Sequence, residues 1–214
     1  STGAELTGAG LLTRSLVLRR LLRREVLADD ERHVGILLPP SVPAVVTNAA
    51  LAIDNRVAVN LNYTVSSEVM NTCLARAGIR HVLTSRKVME KLDLDIDAKV
   101  VLLEDFKDKV TLGDKLAGLI QAYLTPIWLL ERMFGVHQLT GDDELTVIFT
   151  SGSTGDPKGV VLTNHNIGTN VEAIDHVIHL RETDMILGIL PFFHSFGFTV
   201  TLWTTLGLDV RSVY

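Results

Sequence analysis

Leu145-Thr146-Val147-Ile148-Phe149 runs directly into Thr150-Ser151-Gly152-Ser153-Thr154-Gly155-Asp156-Pro157-Lys158-Gly159, and Val160-Val161-Leu162-Thr163 follows. The apolar, β-branched flanks read as two strands of a hairpin, the second returning over Gly159–Thr163. The polar stretch between them packs hydroxyls, three glycines and one lysine into ten residues. Glycines let the backbone approach a ligand closely and turn its N–H groups inward. The hydroxyls add donors, and the lysine adds a mobile positive charge. A strand that delivers such a loop is a place for polyphosphate to bind. A plain Gly/Ser-rich surface turn would leave Lys158 and the paired hydroxyl-glycine units unexplained.

Other phosphate and nucleophile motifs fail on spacing. A nucleotide P-loop needs G-x-x-x-x-G-K-[ST], but five residues on from Gly152 stands Pro157, and Lys158 precedes its glycine. A dinucleotide fingerprint needs G-x-G-x-x-G, and Thr154 stands where its second glycine belongs. The nucleophile elbow G-x-S-x-G fails because Ser151 occupies the first glycine position ahead of Ser153.

Working outward, apolar runs alternate with helical patterns. Val34–Leu38 reads as a buried strand stopped by Pro39 and Pro40, and Ser41 to Asn55 as a helix with a serine cap and Pro43 in its first turn. Arg56–Leu61 is a second strand. Ser66-Ser67-Glu68 opens a helix that closes at Ala77-Gly78, and His81–Thr84 and Lys99–Leu103 are further strands. This rhythm predicts an α/β fold: mostly parallel sheet layers flanked by helices. After the hairpin, Asn164–Leu180 and Ser195–Leu206 read as helices. Asp184–Leu190 reads as a strand, and Leu208–Tyr214 begins another. The polar break Gly141-Asp142-Asp143-Glu144 suggests a first α/β subdomain over 1–140, and over 141–214 a phosphate-loop unit with the start of an incomplete substrate-pocket subdomain.

Composition narrows the function classes. The 214-residue chain has a net charge of −5, which argues against non-specific nucleic-acid binding. Its one cysteine, Cys73, excludes an internal disulfide and fits a buried small hydrophobe in a reducing, cytoplasmic setting. No apolar run approaches the roughly eighteen residues of a bilayer-spanning helix. Mean hydropathy is +0.28, high for a free-standing domain, which suggests apolar surface that something outside this chain covers. Leu6–Leu27 carries leucines at helical spacing around Arg19-Arg20-Leu21-Leu22-Arg23-Arg24. Its plain reading is an amphipathic surface helix with a solvated basic face. Its sharper reading is peripheral contact with anionic lipid at the inner face of the membrane. Leu116–Phe134, interrupted by Pro126, is a second candidate for membrane or partner contact, against core packing or an insertion over the sheet. His176 and His179 sit at helical spacing but lack an evident third ligand, so solvated or packing roles are favoured over a metal. The alternating acids Asp93, Asp95 and Asp97 read as a solvated loop.

T-S-G-S-T-G-x-P-K-G-V resembles the signature of the adenylate-forming enzymes: acyl-CoA synthetases, luciferases and nonribosomal peptide adenylation domains. The segments Gly35–Pro39, Val57–Asn62 and Ser66–Glu68 match softer recurrent stretches of the same superfamily, so the resemblance covers nearly the whole chain. Carried over by position, it implies that Ser151, Gly152, Ser153, Thr154, Gly155 and Lys158 grip the β- and γ-phosphates of ATP. Thr150 is the position that helps hold Mg²⁺ in some relatives. Magnesium prefers oxygen ligands and keeps several waters, so one threonine is not its whole site. Leu190-Pro191-Phe192-Phe193-His194-Ser195-Phe196-Gly197 resembles the proline-x-x-histidine segment of the superfamily. By that match His194 orients the carboxylate or adenylate, while Phe196 and Phe198 wall an apolar acyl channel, with Phe198 as a gate.

The Phe-His-Ser-Phe-Gly-Phe-Thr stretch looks most like long-chain acyl-CoA and acyl-[acyl-carrier-protein] synthetases, some of which are fused to a lysophospholipid acyltransferase. That resemblance implies a fatty acid, ATP and Mg²⁺ as reactants and CoA or acyl carrier protein as acceptor. Alternatives are an amino-acid or aryl-acid adenylation domain, or a non-catalytic nucleotide-binding module. The resemblance also implies a longer parent. The glutamate that completes the magnesium site, the aspartate that binds ribose, and the C-terminal domain with its lysine have no counterpart here. The expectation is therefore a fragment that is inactive alone.

Overall fold

The computed structural model describes residues 5–151, 156–181 and 183–214. Its centre is a six-stranded sheet of order β4-β3-β1-β2-β5-β6. The strands are β1 (His33–Leu37), β2 (Val57–Asn60), β3 (His81–Thr84), β4 (Lys99–Leu102), β5 (Glu144–Ser151) and β6 (Pro157–Thr163). The first five run parallel, and β6 returns antiparallel to β5 as the edge strand. The expected mostly parallel α/β architecture is therefore the observed one.

Alternation along each strand fills two cores. Val34, Ile36, Ala58, Leu83 and Ile148 face one side. Leu37, Val57, Val59, Val82 and Val147 face the other. The helices α2 (Val42–Ile53) and α3 (Ser67–Ala77) take opposite sides. Right-handed crossovers require this, because β1 to β2 steps one way and β2 to β3 steps back across β1. Local sequence sets their ends. The Ser41 and Ser66 side chains accept from Ala44 N and Val69 N, and Gly78 closes α3 at φ 63°. A buried reciprocal amide pair ties α2 to β2: Asn60 Nδ2 donates to Asn48 Oδ1 at 2.9 Å and Asn48 Nδ2 to Asn60 Oδ1 at 3.2 Å. Cys73 is buried on α3.

The basic run lies on α1 (Gly8–Glu25), where Arg20, Arg23 and Arg24 are exposed as expected but are also ion-paired to buried acids. Arg19 and Arg23 reach Asp54 at 2.8 and 3.2 Å, and Arg20 and Arg24 reach Asp114 at 3.2 and 3.0 Å. Both carboxylates are buried, Asp54 at the end of α2 and Asp114 in α5 (Leu112–Tyr123). The reason is tertiary: two buried acids on neighbouring helices converge on the basic stripe of α1, so its arginines are ion-paired while Arg20, Arg23 and Arg24 keep one side in solvent. Asp54 also receives Arg56 Nε at 2.6 Å, and Arg56 donates to the carbonyls of Ala28 and Glu31. Glu31 receives His81 Nδ1 at 2.9 Å. Arg56, Glu31 and His81 sit at the amino ends of the strands, so this network fastens the lower rim of the sheet.

The 116–134 stretch divides as Pro126 predicts, into α5 and α6 (Ile127–Phe134). It lies outside α1, not directly over the sheet. Gly118 allows the close approach, since a Cβ there would stand 2.7 Å from Val17 Cγ2. The large side chains Leu112, Leu116, Tyr123, Leu124, Ile127 and Trp128 point to solvent, the reverse of core packing. Arg19 stacks 4.2 Å over the Phe134 ring and holds the end of α6 against α1.

After α7 (Asn164–Ile178), β7 (Met185–Leu187) is shorter than the expected 184–190 and pairs in parallel with β8 (Arg211–Val213). Its ladder ends at the pair Leu187–Val213, with one further bond from Gly188 N to Val213 O at 2.8 Å. The remaining short helices are α4 (Arg86–Met89) and α8 (Thr204–Gly207), the latter continuing a π-helical stretch over Gly197–Trp203.

Candidate active site

The site is built from the carboxyl ends of the parallel strands. β2 and β5 pair at Ala58 and Thr146. Continuing that register past the end of β2 brings Thr150 level with Asn62, one residue before Tyr63. In open α/β sheets this edge is where ligands bind. The hairpin register then sets Lys158 directly across from Thr150. Both side chains are exposed. A hydroxyl and an ammonium thus stand side by side at the root of the loop. Gly152, Ser153, Thr154 and Gly155 lie outside the described residues, as does the Ser151 side chain.

Proline suits the start of β6, an edge strand whose first residue needs no ladder donor. Its carbonyl is used instead: Arg76, in the last turn of α3, donates to Pro157 O at 2.6 Å. The same guanidinium meets Asp156 Oδ2 at 3.3 Å. Sequence reading missed Arg76, whose local signal is only that of a cation at a helix C-terminus.

His194 stands in a turn, donating its N–H to Pro191 O at 3.1 Å and accepting from Phe198 N at 2.9 Å. Its ring tilts on Phe193 with centroids 4.6 Å apart, and Phe193 meets Tyr63 edge-on at 4.9 Å. That chain of rings ties His194 to the carboxyl end of β2, the same rim that carries Thr150. Burial pushes the Tyr63 phenol up. Gly197 makes the turn possible, because a Cβ there would stand 2.2 Å from Pro191 O and 2.9 Å from Leu190 O. The importance of Tyr63 was also missed. Its only local signal is its position just after the Val57–Asn62 strand segment.

The aromatic candidates separate. Phe196 is 64% exposed, whereas Phe198 is fully buried and packs against Trp203 at 6.0 Å. Phe192 is buried and meets Tyr214 edge-on at 5.8 Å, and the Tyr214 hydroxyl donates to Thr201 O at 2.6 Å. Two recesses lie away from this rim. An apolar one of about 400 Å³ runs between α1 and α5, past Val17, Leu21 and Leu119. One of about 560 Å³ lies beside the start of α7, past Leu139, Asn164 and His165. Neither contains a residue of the loop or its aromatic neighbours, so chemistry and not cavity size marks the candidate site.

No group of three or more His, Cys, Asp or Glu side chains is arranged to hold a metal among the described residues. Thr150 fits Mg²⁺ as a single oxygen ligand, with phosphate oxygens and waters as the usual remainder. His176 Nδ1 donates to Glu172 O at 2.8 Å, and His179 forms the left-handed cap of α7.

An exposed hydroxyl and an ammonium thus stand side by side at the carboxyl rim of a mostly parallel sheet, and an aromatic shelf ties His194 to the same rim. The chain belongs to the AMP-binding enzyme family, whose model matches residues 1–214. It is 27% identical over 190 residues to long-chain-fatty-acid–CoA ligase 5 of Rattus norvegicus, covering 82% of this chain and 28% of that protein. It is 31% identical over 182 residues to the nonribosomal peptide synthetase inpB of Emericella nidulans, covering 81% of this chain and 7% of that protein. The chain thus spans less than a third of these relatives. The crystal structure of ATP-bound MatB from Rhodopseudomonas palustris shares the fold, with a TM-score of 0.73, 22% identity, and coverage of 100% of this chain and 41% of that one.

Proposed function

We propose that this chain supplies the phosphate-binding part of an AMP-forming acid–thiol ligase. The observation that carries the reading is the register of the β5–β6 hairpin, which sets Lys158 beside Thr150 at the carboxyl rim of the sheet. In the reaction, a carboxylate oxygen bonds to the α-phosphorus of ATP and pyrophosphate leaves, giving an acyl-adenylate. A thiol then takes the acyl group and releases AMP. Charge gathers on the phosphates, so fixed N–H donors, hydroxyls and a lysine are the groups the step requires. Lys158 and the loop 151–155 hold the β- and γ-phosphates, Thr150 gives one oxygen to Mg²⁺, and His194 orients the carboxylate.

The acid is proposed to be a fatty acid, with CoA or acyl carrier protein as acceptor, as in synthetases fused to a lysophospholipid acyltransferase. Support comes from the phenylalanines around His194 and the likeness to a fatty-acid–CoA ligase. An aliphatic chain gains about 0.8 kcal/mol per buried CH₂ in such surroundings. An amino-acid substrate is the second reading, favoured by the likeness to the peptide synthetase. The 214 residues alone are proposed to be inactive, since the chain spans only 28% of the fatty-acid–CoA ligase it matches.

The experiment is ATP·Mg²⁺ titration of the wild-type chain and of Lys158→Ala. One charge-assisted hydrogen bond contributes about 1.5–3 kcal/mol, so the variant binds roughly 10- to 150-fold more weakly. Unchanged affinity refutes the phosphate reading. Fatty-acid-dependent pyrophosphate release by these 214 residues alone refutes their proposed inactivity.

A further inference from the structure

Arg76 and Asp156 are eighty residues apart in sequence and joined in space. The arginine leaves the last turn of α3, whose buried side chains Met70 and Leu74 pack under the sheet beside Val147 of β5. Its guanidinium therefore projects from a fixed platform toward the hairpin. One nitrogen holds the Pro157 carbonyl at 2.6 Å, and the other lies 3.3 Å from the Asp156 carboxylate. Asp156 is two residues from Lys158, at the edge of the anion site. A free carboxylate there would repel a polyphosphate and compete for the lysine ammonium.

We propose that Arg76 is a positioning residue for the phosphate-binding hairpin: it anchors the returning arm at Pro157 and engages the Asp156 carboxylate, so that Lys158 is left to the ligand. This rests on the phosphate reading of Lys158. Arg76 acts without touching nucleotide. Its two contacts need the planar fork of a guanidinium, which one lysine ammonium does not reproduce. Arg76 is 46% exposed on a helix surface, so replacing it leaves both cores intact.

Two measurements test this. Hydrogen exchange of the ligand-free chain reads the anchor. Arg76→Ala speeds exchange several-fold at Lys158–Val160 and leaves β1–β3 unchanged, and Arg76→Lys falls between. Titration with ATP·Mg²⁺ reads the charge. Arg76→Ala weakens binding by about tenfold, Asp156→Asn alone stays within about twofold, and Arg76→Ala/Asp156→Asn recovers most of the loss. The recovery separates charge from architecture, since a purely structural arginine is not rescued by removing a neighbouring carboxylate. Unchanged exchange in Arg76→Ala overturns the anchor. A double variant no tighter than Arg76→Ala overturns the charge role. Nucleotide affinity that is immeasurable, or indifferent to Lys158→Ala, overturns the phosphate reading itself while exchange still decides the anchor.

Discussion

Gly197 gives the sharpest stability test of the turn that carries His194. An alanine Cβ there would lie 2.2 Å from Pro191 O, where ordinary contact begins at 3.4 Å, so the two must separate by about 1.2 Å. The obstacle is backbone, with Leu190 O and Pro191 C both at 2.9 Å, and no rotamer change relieves it. Overpacking of this kind costs about 1–3 kcal/mol, occasionally more. Gly168 is the internal control: it lies within α7 and a Cβ there meets nothing within 4 Å. Alanine at that position should stabilise by roughly 0.5–1 kcal/mol through helix propensity. The same Gly→Ala change is thus expected to have opposite signs, with a gap of about 1.5–4 kcal/mol between the variants. Urea denaturation of both variants beside the parent measures the gap. Because Pro191 O also accepts the His194 N–H, the His194 ring resonance should move in Gly197→Ala alone. Equal stability of the two variants, or an unmoved His194 signal, would refute the steric argument.

Two further predictions concern the ion-paired helices. Asp54→Ala strands Arg19, Arg23 and Arg56 around a buried position and should cost about 3–5 kcal/mol, as breaking buried pairs does. A loss under about 1 kcal/mol in urea denaturation would show that water reaches those arginines. The Asp114 carboxyl is held well below the usual carboxylate range, chiefly by the Thr111 backbone N–H, with Arg24, the Thr111 hydroxyl and Arg20 adding to it against burial. A depressed folded pKa stabilises above the unfolded value of about 3.9 and loses that contribution as pH falls below it. Asp114→Asn should therefore flatten the acid limb of stability against pH between about pH 5 and 2. An acid limb as steep as the parent's would disprove the assignment.

Local chemistry made much of the fold legible. The serine caps at Ser41 and Ser66, Gly78 at the end of α3, and the β-branched runs of β1, β2 and β3 lie within two residues of their observed places. Such signals need only neighbours a turn or a strand apart. The β5–β6 hairpin was readable for the same reason, with its return expected over Gly159–Thr163 and observed to begin two residues earlier, at Pro157. The ion partners of the α1 arginines were not legible because their acids lie 31 to 94 residues away, beyond any helical period. The choice between surface contact and core packing for 116–134 was not legible, because a helix with one apolar face looks identical whether that face points inward or outward.

The order of residues by itself determined which segments form strands and helices, and which short stretch carries hydroxyls, glycines and a lysine. Tertiary structure alone decided that Phe198 is buried while Phe196 faces solvent, and that Tyr63 and Phe193 shelve His194. It alone brought Arg76 to Asp156. Backbone propensity and periodicity act over a few residues, whereas pairings between side chains far apart in sequence are set by how the parallel strands are ordered and which helices their crossovers lay on each face.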